Sequence, residues 1–508
     1  MTPYYVTTPI YYVNGAPHIG HAYAGIAADV LARWKRLDGY DVFFLTGTDE
    51  HGQKVEKAAL DAGLPPQQFV DRVSQTFRAM SAPLGLTNDD FIRTTEERHK
   101  RACQALWRRL VASGDIYLGQ YEGWYAVRDE AFYDESELKT AADGTRVAPT
   151  GAPVEWVVEP SYFFRLSAFQ DRLLAHYAEH PDFIQPNSRR AEVTSFVRGG
   201  LRDLSVSRTS FSWGVPVPDD PAHVMYVWLD ALTNYLSAVG YPDQTERWKY
   251  WPPDAQVVGK DIIRFHAVYW PAFLMAAGLP LPKAIVSSGW WVASGEKMSK
   301  SLGNAVDADA LVARFGLDAI RYFLLREIPF GNDGDYSDAA LIRRLNVELA
   351  NDLGNLGQRN LSLIAKNCAG LMPKCGAATA EDIALLAAAH ALPGLMRPRF
   401  ERVAFHEALE DVWKVIRAAN AYIDHQAPWA LKKTDVARMA TVLGVLAEVT
   451  RCVALVLQPF MPGTMARLLD QLGVPDEARQ LADFGRTVPP GTALPAPEGV
   501  FPRYVEAA

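Results

Sequence analysis

Apolar and aromatic positions open the chain as one run, Tyr4-Tyr-Val-Thr-Thr-Pro-Ile-Tyr-Tyr-Val13, which predicts a strand with Pro9 near its end. Asn14-Gly15-Ala16-Pro17 is turn chemistry. From about Gly20 to Leu37 the spacing of Ile26, Val30, Leu31 and Trp34 is helical. Gly39 stops that helix, and Val42–Thr46 predicts a second short strand. Strand, turn, helix and strand within about 45 residues are the opening of a parallel α/β sheet.

Regularity is lost between about 113 and 213, where glycines, prolines and acidic residues divide the chain into short strands and turns, as in Gly119–Asp134 and Gly144–Glu159. A domain inserted between two halves of the sheet is the expectation. The α/β pattern is expected to resume with Val224–Trp228, Gln256–Gly259 and Lys283–Ser287. From about Ala339 to Leu472 nearly everything has helical period, with breaks at Gly370–Gly376, Pro393 and Pro428, which predicts a bundle of four or more helices. The Pro-rich end, Val488–Pro502, reads as extended chain, and no internal repeat or low-complexity tract is visible.

Composition narrows the class. A chain of 508 residues with 49 % hydrophobic and 22 % charged positions fits a folded enzyme of about three domains and excludes a disordered or fibrous protein. The net charge of −8 gives no overall attraction to nucleic acid. It is unevenly spread, with 18 Lys and Arg against 17 Asp and Glu in residues 341–508 and 33 against 42 before them. A polyanionic partner would have to meet local patches. Four cysteines (Cys103, Cys368, Cys375 and Cys452) form no CxxC pair, so neither a disulfide framework nor a cysteine-based zinc site is readable. The N-terminus lacks a basic leader, and the most apolar late stretch, Met439–Met461, carries Glu448 and Arg451, which argues against a membrane span. A soluble, cytoplasmic protein is the expectation.

Two short motifs carry the chemistry. His18-Ile19-Gly20-His21 follows the first strand and turn and opens the first helix, with the two histidines on one face. Gly20 permits close approach to the backbone, a helix N-terminus favours phosphate, and imidazole N–H groups can stabilise charge building at an α-phosphate. Taken alone the motif also fits two capping or core histidines. Lys297-Met298-Ser299-Lys300-Ser301 lies in a loop-like setting between Ser294-Gly295-Glu296 and Gly303-Asn304. Its two lysines, three apart and flanked by hydroxyls, suit a pyrophosphate gripped transiently. Alone it also fits a solvated basic loop.

In this order on an α/β sheet, the two motifs resemble the signatures of class I aminoacyl-tRNA synthetases. Further stretches narrow the likeness to the methionyl-tRNA synthetase family: residues 7–15, Thr46-Gly-Thr-Asp-Glu-His-Gly52, Tyr226-Val-Trp-Leu-Asp-Ala231, Gly259-Lys-Asp261 and Phe265-His266 with Trp270-Pro271. The likeness covers essentially the whole chain. It implies a Rossmann-type parallel-sheet catalytic domain with an inserted connective domain, followed by an all-α helical-bundle anticodon-binding domain. The implied spans are 1–112 for the first catalytic half, 113–213 for the connective domain and 214–290 for the second half. A KMSKS loop and stem-contact region would occupy 291–338, and the helical domain with its tail 339–508.

The resemblance also implies site roles. Methionine is an uncharged thioether, so its site should be apolar and aromatic, with a carboxylate for the ammonium group. The family likeness places Ile10, Tyr12, Trp228, Ala231, Tyr235, Ile262, His266 and Trp270 around the side chain and Asp49 on the ammonium. It places His18, Gly20, His21, Gly259, Lys260, Asp261, Lys297 and Lys300 at ATP, and Arg208 at an active-site position beside the inserted domain. His18, His21, Lys297 and Lys300 would be the catalytic set. Asn355 and Arg359, one helical turn apart, would hydrogen-bond the edge of an unstacked anticodon base, and Trp429, after Pro428, would stack on another base. As isolated residues these also fit a solvated helix face and a core tryptophan.

The implied function is methionine–tRNA ligation, with ATP and Mg²⁺, on initiator and elongator tRNA(Met). Many relatives carry zinc knuckles in the inserted domain, but Tyr125-Ala-Val-Arg-Asp-Glu130 has no cysteine, so no structural zinc is expected. No stretch resembles the C-terminal dimerising module of some relatives, which implies a monomer. The competing readings are another class I synthetase, a catalytically silent tRNA-binding homologue, and a small-molecule adenylyltransferase. The roughly 100-residue insertion is small for the editing domains of the leucine, valine and isoleucine enzymes. The intact motifs and the helical bundle speak against the other two.

Overall fold

The chain folds around a sheet whose strands all run parallel. The computed structural model describes residues 1–13, 19–129, 131–141, 143–293, 296–297 and 307–505. The expected single opening strand is two, β1 (Pro3–Thr7) and β2 (Tyr11–Tyr12). Both lie against β3 (Asp41–Asp49), β1 through Thr7 opposite Leu45 and β2 through Tyr11 opposite Thr48. Pro9 has no N–H to give the ladder, and the break it makes leaves one more residue on this side than on β3. Between the first two strands and β3 runs α1 (Ile19–Leu37), buried on nearly every side.

Next come α2 (Gln53–Asp61), α3 (Pro66–Met80), β4 (Asp90–Arg93) and α4 (Glu97–Ala112). β4 pairs with β3 so closely that a Cβ on Gly47 would stand 2.0 Å from the Ile92 carbonyl oxygen, so only glycine fits there.

The inserted region is a second, antiparallel sheet. β5 (Ile116–Ala126) pairs along its length with β9 (Glu155–Phe164), flanked by β6 (Ala131–Tyr133) and β11 (Leu204–Ser205). Beside it stands the small hairpin of β7 (Lys139–Thr140) and β8 (Arg146–Val147). Ala126, Ala148 and Ala152 form a small apolar cluster at this end, and Asp129 accepts hydrogen bonds from Tyr133 and Thr150.

The span 113–213 is not a single insertion, however. After α5 (Gln170–Glu179), β10 (Ile184–Gln185) returns to the main sheet and pairs in parallel with its far edge, before α6 (Asn187–Arg198). Two residues of pairing are too short to leave a periodic signal in the sequence.

The stretch Val224–Trp228 also differs from expectation. Val224 and Met225 end β14 (Asp220–Met225), which belongs to an antiparallel ribbon with β12 (Ser207–Arg208) and β13 (Pro216–Val217). Helix α7 (Val227–Leu232) then begins at once, followed by α8 (Asn234–Ser237). The parallel sheet resumes with β15 (Ala255–Gly259), α9 (Trp270–Ala277) and β16 (Ile285–Ser288), giving the order β10-β16-β15-β1-β3-β2 with β4 also on β3.

Three short strands follow in a small sheet, β17 (Trp291–Ala293), β18 (Glu296–Lys297) and β19 (Gly334–Tyr336), with α10 (Ala308–Phe315) and α11 (Leu317–Arg326) between the last two. The helical region then runs from α12 (Asp338–Arg344) through a π-helical stretch, Leu345–Gly354, into α13 (Asn355–Asn367). It continues as α14 (Ala380–His390), α15 (Leu392–Glu401), α16 (Phe405–Gln426), α17 (Pro428–Thr434), α18 (Val436–Leu457) and α19 (Pro462–Gln471). Among the described residues α18 is the one helix long and apolar enough to cross a membrane, and it is buried against α13, α14, α16, α17 and α19.

One apolar core continues from the α1 face of the sheet into the bundle. Trp34 of α1 stacks on Phe400 of α15 with ring centres 4.2 Å apart. Beside it, Arg321 of α11 pairs with Asp29 of α1 at 2.6 Å and donates to the carbonyls of Leu84, Pro459 and Phe460.

Candidate active site

A cavity of about 810 Å³ opens beside the carboxyl ends of β1 and β3, where the open side of a parallel α/β sheet ordinarily takes its ligand. The break at Pro9 turns Ile10 and Tyr12 into it, and Asp49 stands opposite Tyr12 at the last residue of β3. The next residues are held from behind. Glu50 accepts from Arg93, Thr95 and Thr48, and its carbonyl accepts from the Trp213 indole. Gly52 (φ 104°) then turns the chain into α2, from which Lys54 reaches the cavity and lies 5.5 Å from the Tyr12 ring centre.

The opposite wall is apolar and aromatic. Trp228 and Ala231 come from α7, Tyr235 from α8, and Ile262 and His266 from the turns leading into α9. Trp228 stacks on Phe265 with ring centres 3.4 Å apart.

His266 is buried. Its Nδ1–H donates to the Ile262 carbonyl at 3.0 Å, which leaves Nε2 to accept from the Tyr235 hydroxyl at 2.7 Å. Burial lowers its pKa from 6.5 to about 4 against the opposing pull of the Ile262 carbonyl, so the wall carries a neutral imidazole. An uncharged wall of this kind suits a thioether side chain. Trp270 does not line the cavity. It is fully buried one layer back, at the start of α9, with Tyr235 6.1 Å in front of it.

Arg208 is no surface group. Fully buried on β12, it lies 3.7 Å from the centre of the Tyr226 ring, donates to Ser205 Oγ at 2.6 Å and stands 3.5 Å from Glu159. It lines the cavity on the side of the inserted sheet, as do Asp129 and Tyr133.

The nucleotide candidates divide. Asp261 lines the cavity and accepts from the Trp290 indole at 3.2 Å. Gly259 ends β15, and a Cβ there would meet the Asp261 carboxylate at 2.6 Å. Lys260 turns the other way, pairing with Asp333 at 2.5 Å and lying 3.9 Å from the Trp290 ring centre. Gly20 is in the first turn of α1, and the His21 ring packs edge-on against Tyr11 and Phe77. The backbone of Lys297 pairs with Val292 on β17, two residues from Trp290. His18, Lys300 and the Lys297 side chain lie outside the described residues.

Sequence reasoning missed Pro9, Lys54, Tyr226, Phe265 and Tyr269 on the cavity wall. Phe265 and Tyr269 carried a signal, since with Ile262 and His266 they recur at helical spacing and share a face, and Pro9 and Tyr226 lie in quoted stretches. The residues from the inserted sheet, Asp129 and Tyr133 among them, carried none, because only tertiary folding brings that sheet over the cavity.

In the bundle, Asn355 is exposed at the start of α13 and Arg359 lies one turn on. Arg359 pairs with Asp424 at 2.6 Å and stands 5.5 Å from the centre of the Trp429 ring, which is 42 % exposed rather than part of the core.

Comparisons with known proteins show the family. Residues 4–361 match the family model "tRNA synthetases class I (M)", and residues 372–507 match "Anticodon binding domain of methionyl tRNA ligase". The chain is 58 % identical to a methionine–tRNA ligase of Mesorhizobium japonicum, over 99 % of this chain and 98 % of that protein. It is 57 % identical to one of Brucella suis over the same shares. Mycobacterium tuberculosis methionyl-tRNA synthetase, solved in complex with methionyl-adenylate, superposes with a TM-score of 0.97 at 55 % identity, covering 99 % of this chain and all of that one. Likeness this close, over the sheet, the cavity and the bundle together, means that the chain belongs to the methionyl-tRNA synthetases, ligases of class I.

Proposed function

We propose that this methionine–tRNA ligase activates methionine in the cavity between Asp49 and the Trp228–His266 wall, and that its bundle reads the anticodon of tRNA(Met). One observation carries the reading: a single cavity joins a carboxylate at a strand end, a neutral apolar wall and the Asp261 turn. Asp49 would hold the ammonium group and the aromatic wall the thioether. The carboxylate of methionine would then point toward the α-phosphate of ATP.

The first step is in-line attack of a methionine carboxylate oxygen on the α-phosphorus. The new P–O bond forms as the bond from the α-phosphorus to the oxygen bridging to the β-phosphate breaks, and pyrophosphate leaves. The nucleophile is already ionised near neutral pH, so positioning and charge stabilisation supply the catalysis. On the family pattern His18 and His21 steady the α-phosphate, while Lys297 and Lys300 hold the β- and γ-phosphates and Gly20, Gly259, Lys260 and Asp261 frame the nucleotide. Mg²⁺ enters with the phosphates of ATP and neutralises part of their charge.

In the second step a ribose hydroxyl of the terminal adenosine attacks the activated carbonyl. The acyl C–O bond to the phosphate breaks and AMP leaves, with the adenylate phosphate taking the hydroxyl proton. Arg208, buried at the cavity edge, would stabilise charge there. Asn355, Arg359 and Trp429 would meet the anticodon. We further propose a cytoplasmic monomer, serving initiator and elongator tRNA, that needs no structural zinc. The knuckle turn here is held by the Asp129 hydrogen bonds and the alanine cluster.

The test is pyrophosphate exchange into ATP with each amino acid in turn and no tRNA. Exchange selective for methionine is expected. Selectivity for another amino acid would overturn the pocket assignment.

A further inference from the structure

Two residues of the quoted motifs, His51 and Asp230, have no place in the reaction above. Both are buried, and the Asp230 carboxylate faces away from the cavity into a closed polar cluster. One of its oxygens accepts from His51 Nδ1 at 2.6 Å and the other from His99 Nε2 at 2.7 Å. His99 Nδ1 is bonded in turn to Ser237 Oγ at 3.0 Å. These partners sit on separate elements: His51 just after β3, His99 on α4, Asp230 on α7 and Ser237 on α8.

Three of these stretches carry a wall of the cavity, and α4 packs against α8. His51 is two residues from Asp49. Asp230 lies between Trp228 and Ala231, and Ser237 is two residues beyond Tyr235. A buried carboxylate that accepts from two imidazoles has to remain ionised. Burial alone would raise its pKa, but His51 and His99 outweigh that and hold it well below the usual carboxylate range.

Resting on the function proposed above, we infer that Asp230 is a positioning residue for methionine recognition. It locks the helix bearing Trp228 and Ala231, through His51, to the strand end bearing Asp49. An asparagine of the same shape would turn an N–H toward one of the two donors, which would force that side of the cluster apart.

The experiment is methionine-dependent pyrophosphate exchange on the full chain, with KM measured separately for methionine and ATP and thermal midpoints recorded alongside. Asp230→Asn is expected to raise KM for methionine about tenfold while KM for ATP moves less than about twofold. His99→Leu should follow it. His99→Gln, which restores a donor at the Nε2 position, should return KM for methionine to within about threefold of the unsubstituted protein.

An unchanged KM for methionine in Asp230→Asn, or equal rises in both KM values, overturns the inference. Should Asp230→Asn fail to fold, the His99→Leu and His99→Gln pair decides by the same criterion. Absence of methionine-dependent exchange in the unsubstituted protein would instead refute the function on which the inference rests.

Discussion

The Tyr235 hydroxyl donates to Nε2 of His266 across 2.7 Å, while the opposite ring nitrogen is spent on the Ile262 carbonyl. With both nitrogens fixed as one acceptor and one donor, the imidazole has no room for a second proton. Its pKa falls from 6.5 to about 4 through burial. An unfolded chain protonates this histidine below pH 6.5 and the folded one does not, so acidification in the window from 6.5 to 4 favours unfolding. The loss from this group is about 2 kcal/mol at pH 5, and nothing from it is lost above 6.5. Urea unfolding at pH 7 and pH 5 should show that difference shrinking in His266→Gln. KM for methionine should show no inflection near pH 6.5.

On the function proposed above, Asp49→Asn should remove the charge assigned to the substrate ammonium. Loss of one partner of a largely buried charge pair costs 2 kcal/mol or more, so kcat/KM for methionine should fall by about 30-fold or more. Steady-state exchange kinetics check this, and KM for ATP should change little.

Trp429→Ala and Arg359→Ala should separate the two halves of the reaction. Removing a stacking platform costs about 1–3 kcal/mol, so aminoacylation of tRNA(Met) should weaken about 5- to 150-fold. Pyrophosphate exchange without tRNA should stay at the unsubstituted level. A parallel loss in both assays would mean that the surface does not face the anticodon.

Asp29 and Arg321 form an ion pair with both side chains fully buried. Asp29 remains ionised because Arg321 and Arg33 outweigh the effect of burial. Asp29→Asn leaves the guanidinium without its counter-charge and should lower stability by about 3–5 kcal/mol in denaturant unfolding. The double change Asp29→Asn with Arg321→Met should cost less than the two single changes added together.

What was legible in the sequence follows from how local each signal is. Helix α1 and strand β3 could be read because a 3.6-residue period and an apolar run each lie within one segment. Ile10, Tyr12, Asp49, Trp228 and His266 were named from motifs, and the fold gathers them on one cavity. Trp270 shared that motif context and yet stands one layer behind, since sequence spacing gives a residue's face but not its depth. Strand β10 escaped notice because two residues hold no period, and the Asp230 cluster because its members are spread over 187 positions, from His51 to Ser237.

The Trp34–Phe400 stack has a consequence for how the chain can be divided. Because α1 and α11 bury their outer faces in the bundle, the catalytic half carries no finished surface of its own on that side. A chain cut just after Tyr336 would bare Trp34 and its neighbours as a broad water-exposed apolar patch, which favours self-association. On the function proposed above, adenylate formation needs residues of the first half alone, yet that half-molecule would carry this patch into solution. The two halves therefore share one core instead of meeting at a finished interface.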